Sequence, residues 1–146
     1  MKQILAAALL VLGAAVVASA RQDSGNNIFD HYEAIRVALS SDTLKGVAEH
    51  STALALLAGE TASADAKRAA EQLGAATELK DARQHFGVLS AALLPMFEKA
   101  KLKDVYLYTC SMVKLSWAQR GKEIQNPYMG KAMAGCGVPA KPQNKK

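Results

Sequence analysis

Only two cysteines and one tryptophan occur in the whole chain, and the common catalytic signatures do not occur at all. There is no His-Glu-x-x-His, no Cys-x-x-Cys and no Gly-x-Ser-x-Gly, so the local patterns of a zinc peptidase, a dithiol oxidoreductase and a serine hydrolase are missing. Glu33, Glu49 and Glu71 are single acids on polar helix faces, without the paired carboxylates that acid–base work requires. Arginines do not interleave with aromatics, which removes the usual pattern of a nucleic-acid surface. No internal repeat is visible. The chain reads as a non-enzymatic protein.

Long apolar runs are equally scarce, with one exception at the start. Lys2 precedes an uncharged apolar run from Ile4 to Val17, which closes on Ala18-Ser19-Ala20. Charged, apolar and small residues in that order predict a cleaved export signal over residues 1–20. The run falls short of the ~20 residues a spanning helix needs, so no membrane span is expected after cleavage. No cysteine stands at the boundary to take a lipid, and a periplasmic or secreted protein follows. The formal charge falls from +5 to +4 when Lys2 leaves, and much of the excess sits on Lys141, Lys145 and Lys146.

The remainder has the size of one domain able to bury its own core. Residues 21–27 are expected to form a flexible lead, 28–138 the domain and 139–146 a disordered tail. Ile28, Tyr32, Ile35 and Leu39 line one side of a first helix. Ser40-Ser41-Asp42 can cap a second, with the stripe Leu44, Val47, Ser51, Leu54 and Leu57 and an end near Gly59. The alanine-rich stretch Ala62 to Ala76 predicts a short third helix. Thr77 would cap a fourth, whose stripe runs Leu79, Ala82, Phe86, Leu89, Leu93, Met96 and Ala100, with Pro95 kinking it or ending it early. Stripes of this kind bury themselves against each other, so the expected fold is all-α, an antiparallel bundle of about four helices followed by an irregular segment. His31, His50 and His85 each fall beside a core position and read as partly exposed surface residues.

Residues 104–137 carry the densest chemistry. Val105-Tyr106-Leu107-Tyr108 is β-branched and aromatic and reads as a short extended stretch. Cys110 and Met112 stand two apart, on one side of an extended chain, while Met133 and Cys136 stand three apart, on one face of a helical turn. Thiolate and thioether sulfurs suit copper(I), so Cys110, Met112, Met133 and Cys136 form a coherent candidate metal site. A disulfide between Cys110 and Cys136 is the competing reading. It would close a loop of about 27 residues and contribute about 3 to 4 kcal/mol in the chain-entropy model. A redox-switchable pair or two free thiols remain open beside these. Trp117 reads as a core anchor, and Asn126-Pro127-Tyr128 as a turn that packs Tyr128 on the bundle.

Tyr108-Thr109-Cys110-Ser111-Met112, then Trp117, then the run from Lys122 through Asn126-Pro127-Tyr128 and Met133 to Cys136-Gly137, resembles the end of the family labelled domain of unknown function 3347. Its pattern there is C-P-M, W and K-E-I-x-N-P-Y-x-G-x-x-M-x-x-C-G; this chain has Ser111 in place of the proline and a shorter spacer before Trp117. From about Phe29 to Leu102 the likeness is one of pattern. The resemblance implies an exported bacterial helical domain without an established activity, in some members associated with adaptor subunits of heavy-metal efflux systems. It therefore points to copper or a related metal, to efflux components as partners, and to the same four sulfur residues as ligands. The rival class is a disulfide-stapled structural or protein-interaction module with no metal. Oligomeric state is unspecified by either.

Overall fold

The computed structural model of the chain describes residues 25–140. The expected signal at 1–20, the first residues of the expected flexible lead and residues 141–146 of the expected tail lie outside them. The all-α expectation is corrected: among the described residues, four helices are followed by a three-stranded antiparallel sheet. No helix of the described residues is long and apolar enough to cross a membrane.

Helix α1 occupies residues 25–40, so 25–27, expected in the flexible lead, are already helical. Helices α2 (Val47–Thr61), α3 (Ala64–Gly74) and α4 (Leu79–Ala100) follow. Ile28, Tyr32, Ile35 and Leu39 of α1 are wholly buried, as their spacing predicts, and so are Ala82, Phe86, Leu89 and Leu93 of α4. Each large apolar side chain so buried contributes about 1.5–3 kcal/mol. Where the boundaries differ from expectation, hydrogen bonding explains the shift. The Ser40 hydroxyl donates back to the Val37 carbonyl at 2.9 Å and so closes α1 instead of capping α2. The chain then reverses at Gly46, whose φ of 79° is left-handed, and α2 begins at Val47. It runs past Gly59 to Thr61. Ser63 caps α3 by accepting from the Ala66 N–H at 3.1 Å. Helix α4 is preceded by Glu78 and not capped by Thr77. It also continues through Pro95 to Ala100. Ala91, whose carbonyl loses its helical partner to that proline, is exposed, so water replaces the bond.

Strands β1 (Val105–Cys110) and β2 (Leu115–Arg120) form a hairpin, with Tyr108 opposite Trp117 and Cys110 opposite Leu115. The short β3 (Val138–Pro139) pairs with the other edge of β1, giving the order β2-β1-β3. Pro139, assigned to the tail by composition, thus lies opposite Tyr108, and the Ala140 N–H reaches the Leu107 carbonyl at 2.9 Å.

Aromatic side chains weld the two parts. Phe29 packs edge-on against Phe97 at 5.1 Å between ring centres, and Tyr32 stacks on Phe86 at 4.9 Å. Tyr128 bridges Phe86 and Trp117 at 5.9 and 6.0 Å, and Trp117 lies 5.7 Å from Tyr108. The Tyr32 hydroxyl adds a polar joint: it hydrogen-bonds with the Ser90 hydroxyl at 2.7 Å and accepts from the Ala118 N–H at 3.2 Å. The core is therefore continuous from α1 through α4 to the sheet.

Candidate thiol site

Cys110 is the last residue of β1 and is wholly buried. The hairpin turn after it folds back, held by a 2.8 Å bond from the Lys114 N–H to the Cys110 carbonyl and by a left-handed Lys114. That reversal points the N–H groups of Met112 and Val113 at the Cys110 sulfur. Cys136 arrives from the far end of the segment, after the 3₁₀ turn Gly130–Met133, and its own N–H bonds to the Met133 carbonyl at 3.0 Å. The Cys136 thiol meets the Cys110 sulfur, and both cysteines are free.

Asn126 holds this meeting in place. Its side-chain amide donates to the Cys136 carbonyl at 2.5 Å and also faces the Cys110 sulfur. Its side-chain oxygen accepts from the N–H groups of Tyr128 at 2.8 Å and Met129 at 3.2 Å, an Asx turn of the kind asparagine favours. Its backbone N–H bonds to the Ala134 carbonyl at 2.8 Å. The preceding residue is pinned by Arg36, a nearly buried α1 guanidinium that donates to the Gln125 carbonyl at 2.9 Å and is balanced by Glu33 at 2.8 Å. Helix α1 thereby anchors the loop that carries Asn126.

Burial pushes the Cys110 thiol up, but the Val113 N–H, the Asn126 amide, the Met112 N–H and the Cys136 thiol together hold it below its ordinary value. The Cys136 thiol moves the other way, raised by burial, by the neighbouring Cys110 charge and by its own donation to that sulfur. One proton shared between two sulfurs, with the charge settling on Cys110, accounts for both directions. Chemically, such a pair offers two soft donors to a monovalent metal ion, or a thiolate and a thiol ready to form a disulfide.

The other expected residues divide into two groups. Trp117 and Tyr128 are core anchors, and Pro127 is buried in the turn. The Trp117 ring leaves no room beside it: a Cβ added at Gly137 would come within 2.7 Å of it, so Cys136 is followed by the one residue that fits. Met112 and Met133, by contrast, are 63% and 41% exposed, so the structure does not bury their thioethers with the thiols. Among the described residues no group of three or more His, Cys, Asp or Glu gathers around the two thiols. Sequence reasoning missed two features. Asn126 was read only as part of a turn, because its bond to Cys136 crosses ten residues of irregular chain. The imidazoles of His31 and His50 were read separately, yet they meet with their Nδ1 atoms 3.0 Å apart, a contact between two helices that no local spacing encodes.

The fold and site together define a small domain of helices backed by a short sheet, with an asymmetric dithiol at the sheet's end. Residues 28–104 match the family described as Protein of unknown function (DUF3347), and the chain belongs to that family. The matched span takes in the four helices and stops before the sheet and both cysteines. No curated protein and no solved structure matches the chain.

Proposed function

We propose that this domain binds a soft monovalent metal ion, copper(I), at the sulfurs of Cys110 and Cys136, with Met112 and Met133 as candidate thioether ligands. The observation that carries this reading is the convergence of two free thiols from opposite ends of residues 105–140, one of them biased toward thiolate by four donors. Sulfur ligands prefer copper(I) to magnesium or calcium, and thiolate is the form that binds. The role is non-enzymatic, in an exported and periplasmic protein that buffers, senses or hands over metal beside an efflux system. Anaerobic titration of the reduced chain with copper(I) against a chromophoric chelator tests it. One equivalent should bind, and Cys110→Ser or Cys136→Ser should weaken uptake by at least about a hundredfold, the scale expected when a ligand itself is removed. Equal uptake by both variants would refute it.

A second reading rests on the opposed shifts of the two thiols. A low-pKa thiolate beside a protonated thiol is the arrangement of a reversible dithiol, and oxidation would join the two sulfurs in a disulfide, releasing the one remaining thiol proton and passing two electrons to an external thiol oxidant. Failure to take up copper(I) in the reduced state, together with ready and reversible closure, would select it.

A further inference from the structure

His31 on α1 and His50 on α2 lie nineteen residues apart in sequence, yet their rings face each other. The ring centres are 5.3 Å apart and inclined by 49°, and the two Nδ1 atoms are separated by 3.0 Å. The turn at Gly46 sets this up: its left-handed backbone directs the chain into α2, and the His50 N–H bonds back to the Gly46 carbonyl at 3.0 Å, placing the imidazole one turn in and toward α1. Both residues are half-buried, so the rings are held by the helices while water still reaches them.

We propose that His31 and His50 form a second, nitrogen-donor site that binds a divalent transition-metal ion between α1 and α2, each imidazole contributing its Nδ1 lone pair. Three physical points support the assignment. A direct hydrogen bond between two Nδ1 atoms requires the rings to take opposite tautomers or to share an added proton, whereas an ion accepts the same lone pair from both. The separation suits neighbouring ligands on one ion: metal–nitrogen bonds of about 2.0–2.1 Å put cis ligands about 2.8–3.0 Å apart at a right angle and about 3.3–3.4 Å apart at a tetrahedral one. Finally, imidazole suits zinc(II), copper(II) or nickel(II), and not magnesium or calcium, which take oxygen ligands. Among the described residues no third His, Cys, Asp or Glu joins the pair, so water would complete the coordination.

Zinc(II) is the probe, because it undergoes no redox chemistry with the protein. In the full chain carrying Cys110→Ser and Cys136→Ser, calorimetry should show one equivalent of zinc bound, and zinc should raise the melting temperature by linkage. Adding His31→Ala or His50→Ala should lower affinity by at least about tenfold and cancel the thermal shift, whereas His85→Ala, on α4, should bind like its parent. Nitrogen resonances of the histidine rings in the unsubstituted chain, followed with excess zinc, decide the matter if the serine background does not fold: His31 and His50 should move together and His85 should not. Absence of zinc uptake, equal uptake after either substitution, or ring signals indifferent to zinc would overturn the proposal and leave the two rings joined by a proton alone. None of these outcomes bears on the sulfur site, whose test uses copper(I).

Discussion

Asn126 uses its side chain in four directions, toward Cys136, Cys110, Tyr128 and Met129, and the whole residue is buried. Removing a buried polar group that satisfies several others leaves each of them desolvated and unpaired. Asn126→Ala is therefore expected to cost about 2–4 kcal/mol in denaturant unfolding, far more than a surface change. The same substitution should slow any reaction that needs both sulfurs, since the Cys136 carbonyl loses its 2.5 Å anchor. A loss of less than about 0.5 kcal/mol would show that the loop holds itself without this side chain. Residue by residue, the sequence revealed identity better than partnership. Trp117 as an anchor and Asn126-Pro127-Tyr128 as a turn follow from the side chains themselves, because an indole must be buried and an Asn-Pro pair restricts the local backbone. The convergence of Cys110 with Cys136 was a chemical expectation with no spacing rule behind it, and the structure supplies the geometry.

Elements were legible where a period was long enough to be read. The α4 stripe spans about six turns and survives the presence of Pro95, since a proline on the solvent side costs a bond that water replaces. The sheet was not legible. Val105 to Tyr108 announces a strand, but its partner Leu115–Arg120 contains no β-branched residue and has Ala118 and Gln119 buried side by side. Its strand character comes from pairing with β1 and from Trp117, a tertiary effect that propensity does not record. A clasp between elements gives a test at this scale. Asp42, after α1, pairs with Arg83 of α4 at 2.5 Å and accepts from the Lys131 N–H of the 3₁₀ turn at 3.1 Å. Those two bonds hold its carboxyl below the ordinary Asp value, outweighing the upward push of desolvation. A depressed folded-state value means that the unfolded chain binds the proton more readily. The ionised carboxylate thus stabilises the fold above the ordinary Asp range, and that contribution disappears as pH falls through the lower folded value. Melting temperature measured from pH 6 downward should fall less steeply for Asp42→Asn than for the parent below about pH 4. Parallel curves would contradict the clasp. Gly130 completes the joint with a φ of 59°, for any Cβ there would collide with the Asp42 carboxylate and the Arg83 guanidinium.

At the scale of the molecule, the helices and the sheet divide the labour. The helices, which the family match covers, supply the core and the scaffold; the sheet and the loop beyond it carry the sulfurs and depend on α1 and α4 for their placement through Arg36, Tyr32 and Arg83. A single cooperative unfolding transition follows from that shared core. Everything proposed for the sulfurs requires Cys110 and Cys136 to act as one dithiol centre, and closure with diamide probes that requirement. A slight excess of diamide added to the fully reduced monomer takes the two thiol hydrogens and becomes the hydrazine. The expected product is a monomer lighter by those two hydrogens, with Cys110 and Cys136 joined in one cross-linked peptide and full recovery on reduction. A product that stays at the reduced mass with both thiols free, or that accumulates as intermolecular dimers, would contradict it.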